Sequence, residues 1–301
     1  MDNSLQSQSM LGKRPLVTVG MPIYNPGIYL RYAVLSIIKQ RYQNWELLII
    51  DDGSTDGSLD LIAGIQDNRI ILIKDNVNKG LAIRLNEAID LAKGEYFARM
   101  DQDDIAFPDR FEKQLNVFLS DKTIDLNAAQ AITIDSENNI IGHLSTPISH
   151  DEICLKPWRS IYMSHPTWMG KIEWFKKHYY SNSKPYCTED QELLLRTYNE
   201  SKFSACSEIL LAYRVRQSNS FKKLIKTRLT MIRFQSVFFF RRHQFHYIIL
   251  SGIAFGIRFF LDAFNQLRKT PYYPYKLIQP NGRNKKKFQE LMLEIDDNLF
   301  K

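Results

Sequence analysis

The stretch Ala98-Arg99-Met100-Asp101-Gln102-Asp103-Asp104 (ARMDQDD) follows Glu95-Tyr96-Phe97 and sets three carboxylates within four positions at the end of an apolar run. Like charges this close repel, and each disfavours ionisation of the next. Either they sit in a solvated loop or they share a bound cation. An Asp-x-Asp triplet alone is common in solvated turns, so the surrounding sequence has to decide between the two.

Upstream, Leu16-Val17-Thr18-Val19 is apolar and β-branched, ends at Gly20, and leads into Pro22-Ile23-Tyr24-Asn25-Pro26. That pattern predicts a strand running into a loop. Helical apolar spacing follows from Ile28 to Lys39. Glu46-Leu47-Leu48-Ile49-Ile50 shows no alternation, which predicts a strand covered on both faces, as in a parallel sheet. It stops abruptly in Asp51-Asp52-Gly53-Ser54-Thr55-Asp56-Gly57. A helix is expected from about Ser58 to Ile65 and a third strand at Ile70–Ile73. Gly80 opens a helix striped by Leu81, Leu85, Ala88, Ile89 and Ala92, with Gly94 suited to its C-terminal cap. Strand four, Glu95 to Met100, delivers the opening acids.

Strands alternating with helices in this way predict an α/β fold with a right-handed, mostly parallel sheet. Ligands of such sheets bind beyond the carboxyl ends of the strands. Asp51, Asp52, Asp101 and Asp103 all follow strand ends, so the acids converge where a ligand is expected. Farther along, Leu126–Ile134 and Ile140-Ile141 suit a hairpin across Asp135-Ser136-Glu137-Asn138-Asn139. Thr188-Glu189-Asp190-Gln191 starts a helix through Tyr198 with Thr188 as its N-cap, and Ile209–Val215 is a last strand.

The 301 residues, 44% hydrophobic and 24% charged, are those of a globular chain and argue against long disorder. One large domain over 15–220 is expected, preceded by a flexible N-terminus over 1–14 and followed by a basic, aromatic, mainly helical region over 221–301. Cys154, Cys187 and Cys206 show no Cys-x-x-Cys spacing and read as ordinary thiols of a reducing compartment. The first fifteen residues lack a signal-peptide core, so a cytoplasmic location is expected.

A Mg²⁺ or Mn²⁺ ion takes hard oxygen ligands, usually one or two carboxylates together with substrate phosphates. Asp101 and Asp103 at a strand end offer such a pair. Greater specificity lies in the combination: Pro22-Ile23-Tyr24-Asn25, Ile50-Asp51-Asp52-Gly53-Ser54, Asn78-Lys79-Gly80, Arg84 with Asn86, Gly94-Glu95-Tyr96 and Asp101-Gln102-Asp103-Asp104, in this order and spacing. Together they resemble family 2 glycosyltransferases with the GT-A fold, a Rossmann-type sheet flanked by helices. The match runs from Pro15 to Val215, with Thr188-Glu189-Asp190 and Tyr213-Arg214 fitting it too.

The resemblance implies an inverting, metal-dependent glycosyltransferase with a nucleotide-sugar donor, most often UDP-linked, and a glycan or lipid-linked acceptor in surface polysaccharide synthesis. It implies Asp103 with Asp101 at the metal, and contacts to the donor from Pro22, Tyr24, Asp51, Asp52 and Arg84. Asp190 is implied as general base, with Glu189 contacting or supporting the acceptor. Each has a plainer alternative: a turn signal for Asp51 and Asp52, an exposed helix arginine for Arg84, a loop anchor for Tyr24, an N-terminal helix acid for Asp190. His165 reads more readily as structural. Many relatives place a histidine, sometimes a metal ligand, shortly after the Tyr-Arg pair. Here Arg216 and Gln217 stand instead, leaving Arg214 or Arg216 to neutralise the diphosphate. A sugar-nucleotide-forming nucleotidyltransferase would need a basic, Gly-rich N-terminal loop, for which Gly12-Lys13-Arg14 is too short. A non-catalytic nucleotide-sugar-binding partner would have no need of both Asp103 and Asp190.

The net charge of +7 is concentrated after Tyr213, in Arg214, Arg216, Lys222, Lys223, Lys226, Arg228, Arg233, Arg241 and Arg242, and again at Arg283 and Lys285–Lys287. These residues flank apolar segments. The most apolar run, Tyr247–Leu261, spans about 22 Å as a helix, short of the ~30 Å hydrocarbon core, and Arg258 interrupts it. A basic amphipathic helix lying on an anionic membrane surface is the expectation, with Phe238, Phe239, Phe240, Phe259 and Phe260 as anchors and the cytoplasmic face as the location. A helical subdomain packed on the sheet is the alternative. No nucleic-acid-binding motif accompanies the charge.

Overall fold

The computed structural model describes residues 14–182, 188–215, 221–268, 279 and 281–299. The segment before Arg14, Cys187 and the pair Arg216-Gln217 lie outside the described residues.

Nine strands join in one sheet. β1 (Val17–Ile23), β2 (Trp45–Asp51), β3 (Ile70–Lys74) and β4 (Tyr96–Arg99) are parallel, in the order β3-β2-β1-β4. Every residue of β1 and β2 is buried, as their unbroken apolar runs require. The pleat sends alternate β2 residues to opposite layers. Leu47 and Ile49 join α1 (Tyr29–Ile38) through Leu30, Ala33, Val34 and Ile37. Leu48 and Ile50 join α2 (Leu81–Leu91) through Leu85, Ala88 and Ile89.

The second half of the sheet is mixed. β8 (Met169–Lys171) pairs antiparallel with β4, and β6 (Leu126–Ile134) antiparallel with β8. β9 (Phe203–Arg214) is parallel to β6, β5 (Ile105–Ala106) is antiparallel to β9, and β7 (Ile140–Leu144) forms the expected hairpin on β6. The tight turn between β6 and β7 returns the chain antiparallel without a crossover helix. The sheet is therefore mixed rather than mostly parallel. Helices α3 (Arg110–Ser120), α4 (His150–Ile153), α5 (Ile172–His178) and α6 (Glu189–Thr197) complete this half.

Local expectations shift in four places. The helix expected over Ser58–Ile65 is a single 3₁₀ turn, Ser58–Leu61, entered through Gly57 at φ 73° and followed closely by Gly64. Its few residues fall short of what helix nucleation needs. β9 begins at Phe203, well before Ile209, because exposed Ser207-Glu208 breaks the apolar run where the β6–β9 register slips. Thr188 stands at the N-cap position of α6, yet its hydroxyl makes no capping bond. Gly94 lies beyond the end of α2, which is capped at Ala92. A Cβ on Gly94 would meet Leu16 O and Thr18 N at 2.6 Å. Its smallness serves a close backbone approach, where its N–H also donates to Thr18 Oγ1 at 2.8 Å.

The C-terminal region divides in two. α7 (Phe221–Arg241) and α8 (Phe245–Arg268) form a helical hairpin turned at His243, φ 57°. α9 (Gly282–Leu299) returns to the sheet, where Phe288, Leu291 and Ile295 pack with Leu35, Phe107 and Ile134. Of the five expected aromatic anchors, Phe239 is fully buried, and Phe238 and Phe259 are partly buried against neighbouring rings. Only Phe240 and Phe260 are exposed.

Two glycines give opposite expectations. At Gly94 the atoms in the way are backbone and cannot rotate aside, so Gly94→Ala destabilises by about 1–3 kcal/mol. At Gly252, in the middle of α8 with open space around it, Gly252→Ala stabilises by about 0.5–1 kcal/mol. Urea titrations of both variants check the pair.

Candidate active site

The carboxyl ends of β1, β2 and β4 are tied together by short hydrogen bonds. Gln102, between the two acids of the opening motif, accepts from Tyr24 N at 2.5 Å and donates back to Tyr24 O at 3.1 Å. Asn25 N donates to Ser54 Oγ at 3.0 Å, Thr55 N to Asn25 Oδ1 at 2.8 Å, and Gly27 N to Asp56 Oδ2 at 2.8 Å. Three strand-end loops are thereby locked as one rim around a cavity of about 410 Å³. Pro22, Tyr24, Asp52, Arg84, Arg99, Asp101, Gln102, Asp103, Arg214 and Lys223 are among its lining. Six of the nine residues proposed from the sequence thus meet in one cavity; Asp51, Glu189 and Asp190 are not in its wall.

Asp51 and Asp52 divide their work. Asp51 is buried and its Oδ1 accepts from Ser54 N at 3.0 Å, which orders the turn. Asp52 reaches the cavity, and its carboxylate accepts from Lys79 N, from Gly80 N and from Arg84 Nε at 2.9 Å. Arg84 is not an exposed helix arginine. It is 1% exposed, and all five of its N–H donors meet protein acceptors: Asp52, Asp75, Glu87 and the Val77 carbonyl. Its role in the structure is to fix Asp52 and the Lys79-Gly80 turn.

The three acids of the opening motif have three separate environments. Asp101 is ion-paired to Arg99. Asp103 lines the cavity, and its carbonyl accepts from Arg214 Nε at 2.9 Å. Asp104 is fully buried; its Oδ1 accepts from Arg214 N at 2.8 Å, tying the segment between β4 and β5 to the end of β9. Burial, followed by the nearby Asp101 and Asp103 charges, holds the Asp104 carboxyl well above the ordinary carboxylate range. Arg214 also donates to Asp135 O and Asn138 Oδ1 and stacks over Tyr29, so it braces the cavity wall.

Arg99 was not singled out in the sequence, yet it connects the two halves of the site. It is 3% exposed, paired with Asp101, and close enough to Glu189, Asp190, Tyr180 and His165 to act on each electrostatically. Buried Arg110 donates to its carbonyl at 2.7 Å, and Arg99 N donates to Trp168 O at 2.9 Å. The signal available in the sequence was a basic residue inside an apolar strand, immediately before clustered acids.

Glu189 and Asp190 open α6. Burial raises both carboxyls above their ordinary range; for Glu189 the Asp190 charge adds to the rise, and Arg99 opposes it in both. Gln191 holds the helix start by a reciprocal pair with Ile161, 3.1 Å in each direction. His165 is buried, its Nε2 lies 2.7 Å from Tyr180 Oη, and burial keeps its pKa well below the usual value. It packs edge-on against Trp168 as a structural histidine.

The family model for glycosyl transferase family 2 matches residues 18–179. An uncharacterized glycosyltransferase of Methanocaldococcus jannaschii is 32% identical over 219 residues, covering 71% of this chain and 75% of that one. A second uncharacterized glycosyltransferase, from Haemophilus influenzae, is 38% identical over 143 residues, which cover 47% of this chain and 57% of the relative. The Escherichia coli UDP-Glc:α-D-GlcNAc-diphosphoundecaprenol β-1,3-glucosyltransferase is 33% identical over 132 residues, 44% of this chain and 51% of the enzyme. The chain thus spans little more than half the length of two of these relatives. Among solved structures, TarS 1–349 of S. aureus in complex with UDP-GlcNAc aligns over 93% of this chain and 80% of its own, with TM-score 0.59 and 15% identity. A Pyrobaculum calidifontis mannosyltransferase in complex with GDP-Man and Mn²⁺ aligns over 96% and 88%, with TM-score 0.56 and 13% identity. These structures share the fold, and the matched sequence carries the motifs that line the cavity. The chain belongs to glycosyl transferase family 2.

Proposed function

We propose that the protein is an inverting glycosyltransferase that moves a sugar from a nucleotide-sugar to a glycan or lipid-linked acceptor in surface polysaccharide synthesis. One observation carries the reading: Asp101 and Asp103 line a cavity at the ends of parallel strands, and a second carboxylate pair, Glu189 and Asp190, lies within electrostatic reach of the same Arg99. UDP-sugars are the first donors to test, because the E. coli relative is named for UDP-glucose and one structural relative was solved with UDP-GlcNAc.

The residues present fit a divalent cation. Among the described residues no group of three or more His, Cys, Asp or Glu is arranged to hold a metal ion by itself; Asp101 and Asp103 would hold the cation together with oxygens of the bound diphosphate. That is the donor set Mg²⁺ or Mn²⁺ prefers. Bound there, the cation supplies charge stabilisation for the departing diphosphate. Pro22 and Tyr24 line the cavity beside Asp52, where a nucleotide base and ribose would be held. Arg84 acts as the positioning residue for Asp52.

In the transfer, the acceptor hydroxyl oxygen attacks the anomeric carbon from the face opposite the diphosphate. The bond from that carbon to the phosphate oxygen breaks, its electron pair leaves with the nucleoside diphosphate, and the configuration inverts. Asp190 takes the hydroxyl proton. A general base works best with a pKa near the working pH, and burial moves Asp190 in that direction.

Two sets of variants test these roles. Asp103→Ala abolishes cation-dependent UDP binding and transfer with an unchanged melting temperature. Undiminished transfer by the wild-type protein in excess EDTA removes the metal from the reading. Asp190→Asn keeps shape and UDP affinity but cannot take the proton, so transfer falls by about two to four orders of magnitude.

The same variant reports on stability. Burial penalises the charged form of Asp190, so replacing it removes a cost at neutral pH. The melting temperature of Asp190→Asn then rises on the order of 2 °C near neutrality. The difference shrinks as pH falls through the unfolded aspartate pKa of about 3.9 and disappears by about pH 3, where aspartate is protonated in the folded and unfolded chains alike. In wild type, transfer declines with falling pH at values where an exposed aspartate would still be ionised. A folded Asp190→Asn protein with near-normal transfer transfers the assignment of base to Glu189.

A further inference from the structure

Helix α8 carries an exposed apolar stripe. Phe245, Ile249, Ile253, Ile257, Phe260 and Phe264 recur at three- and four-residue intervals, and each is more than half exposed, with Phe260 at 73% and Ile249 at 66%. At 1.5 Å per residue the stripe runs about 28 Å. Patches of this kind mark an interaction surface. The only formal charges between Phe245 and Phe264 turn away from it. Asp262 is buried and paired with Arg228 of α7, and Arg258 reaches back to Arg159 O at 3.5 Å. Arg258 interrupts the apolar run in the sequence but not on the surface.

Charge selects the occupant. The hairpin from Phe221 to Arg268 holds nine lysines and arginines against one acid, the buried Asp262. Lys222, Lys223, Lys226 and Arg233 are exposed along α7, and Arg241 and Arg242 at the hairpin turn. A second copy of the chain docked on the stripe would bring two such basic hairpins together. An anionic lipid surface meets both the apolar stripe and the exposed basic residues of the same hairpin.

α8 is long and apolar enough to cross a bilayer, with mean hydropathy 1.6 over Phe245–Asn265. Its inner face argues against that. It buries the Arg228–Asp262 pair, donates from Ser251 to Trp158 O at 3.0 Å, and is bonded through Arg258 to the globular domain. Insertion across the bilayer would strip these partners from charged groups.

We propose that the exposed face of α8 lies on an anionic membrane surface with the hairpin as its dock. The dock is joined to the acceptor side of the site. Gln235 of α7 donates to Pro157 O at 3.2 Å and Ser251 of α8 to Trp158 O, while Ile161, a few residues on, is paired with Gln191 beside Asp190. Segment 157–161 therefore connects the bilayer-facing hairpin to the start of α6, which would present a lipid-linked acceptor to Asp190. This choice of acceptor rests on the glycosyltransferase reading; membrane docking does not.

The test is flotation of the full chain with phosphatidylcholine–phosphatidylglycerol vesicles, against phosphatidylcholine alone, with UDP affinity measured on the same preparation. The protein floats with the anionic vesicles, binding weakens about tenfold from about 0.1 M to 0.5 M salt without vanishing, and alkaline carbonate releases it. Ile253→Glu with Phe260→Glu lowers the bound fraction more than about tenfold and leaves melting temperature and UDP affinity unchanged. Vesicle binding equal in wild type and double variant, or none at low salt, overturns the proposal. So does a dimer that the double variant converts to monomer, which assigns the stripe to a second copy. Retention after carbonate assigns it to a spanning helix. Loss of UDP binding in wild type with vesicle binding intact instead overturns the donor reading alone.

Discussion

The constraint on which the site depends is the charge balance at the end of β4. Asp101, Asp103, Asp104, Glu189 and Asp190 would repel one another if brought together in a dry interior. Arg99 makes the arrangement tolerable because it leaves the strand between the two groups of acids. It pairs with Asp101 and acts on Glu189 and Asp190 from the other side. Arg110, donating to the Arg99 carbonyl, holds that strand end against β8. The opening carboxylates are therefore neither a solvated loop nor a uniform cluster. Asp104 is fully buried and bonded to β9, Asp101 is ion-paired, and Asp103 faces the cavity.

The same physics explains why the rim is so heavily cross-bonded. A donor cavity built from loops needs those loops fixed before a ligand arrives, because ordering them on binding would cost affinity. The Gln102–Tyr24 amide pair and the Asn25–Ser54–Thr55 bonds fix them with short polar side chains. Arg84 does the equivalent work one layer down, where its five donors fix Asp52. Asp52 thereby presents a carboxylate whose position does not depend on the ligand.

Much of this was legible in the sequence wherever a residue's local pattern and its tertiary role coincide. β1 and β2 read as buried strands because both of their faces are covered. Asp52, Asp101 and Asp103 read as site residues because the ends of parallel strands are where ligands bind. The antiparallel half was less legible: β8 has three residues and takes its direction from β4 and β6 rather than from its own pattern. Gly94 illustrates another limit, since a glycine next to a helix end looks the same whether it caps the helix or lets Leu16 and Thr18 pass close by. Arg84 and Arg99 show a third. A sequence shows that an arginine is present, but only packing shows whether its donors are already committed.

The C-terminal hairpin follows from the same difference between order along a chain and position on a surface. In one dimension Arg258 breaks the apolar run and Phe238, Phe239 and Phe259 look like anchors. In three, the helical period carries Arg258 and Asp262 to the inner face and gathers Phe245, Ile249, Ile253, Ile257, Phe260 and Phe264 on the outer one. Phe238 and Phe239 instead fasten the hairpin to the domain, with Phe238 against Tyr198 at the end of α6 and Phe239 in the core. One pair of helices thus supplies both an inner face specific to this domain and an outer face that is apolar and exposed. Because the inner face is fixed next to α6, whatever covers the outer face is held at a defined place relative to Asp190. That geometric coupling separates a dock from a mere adhesive patch.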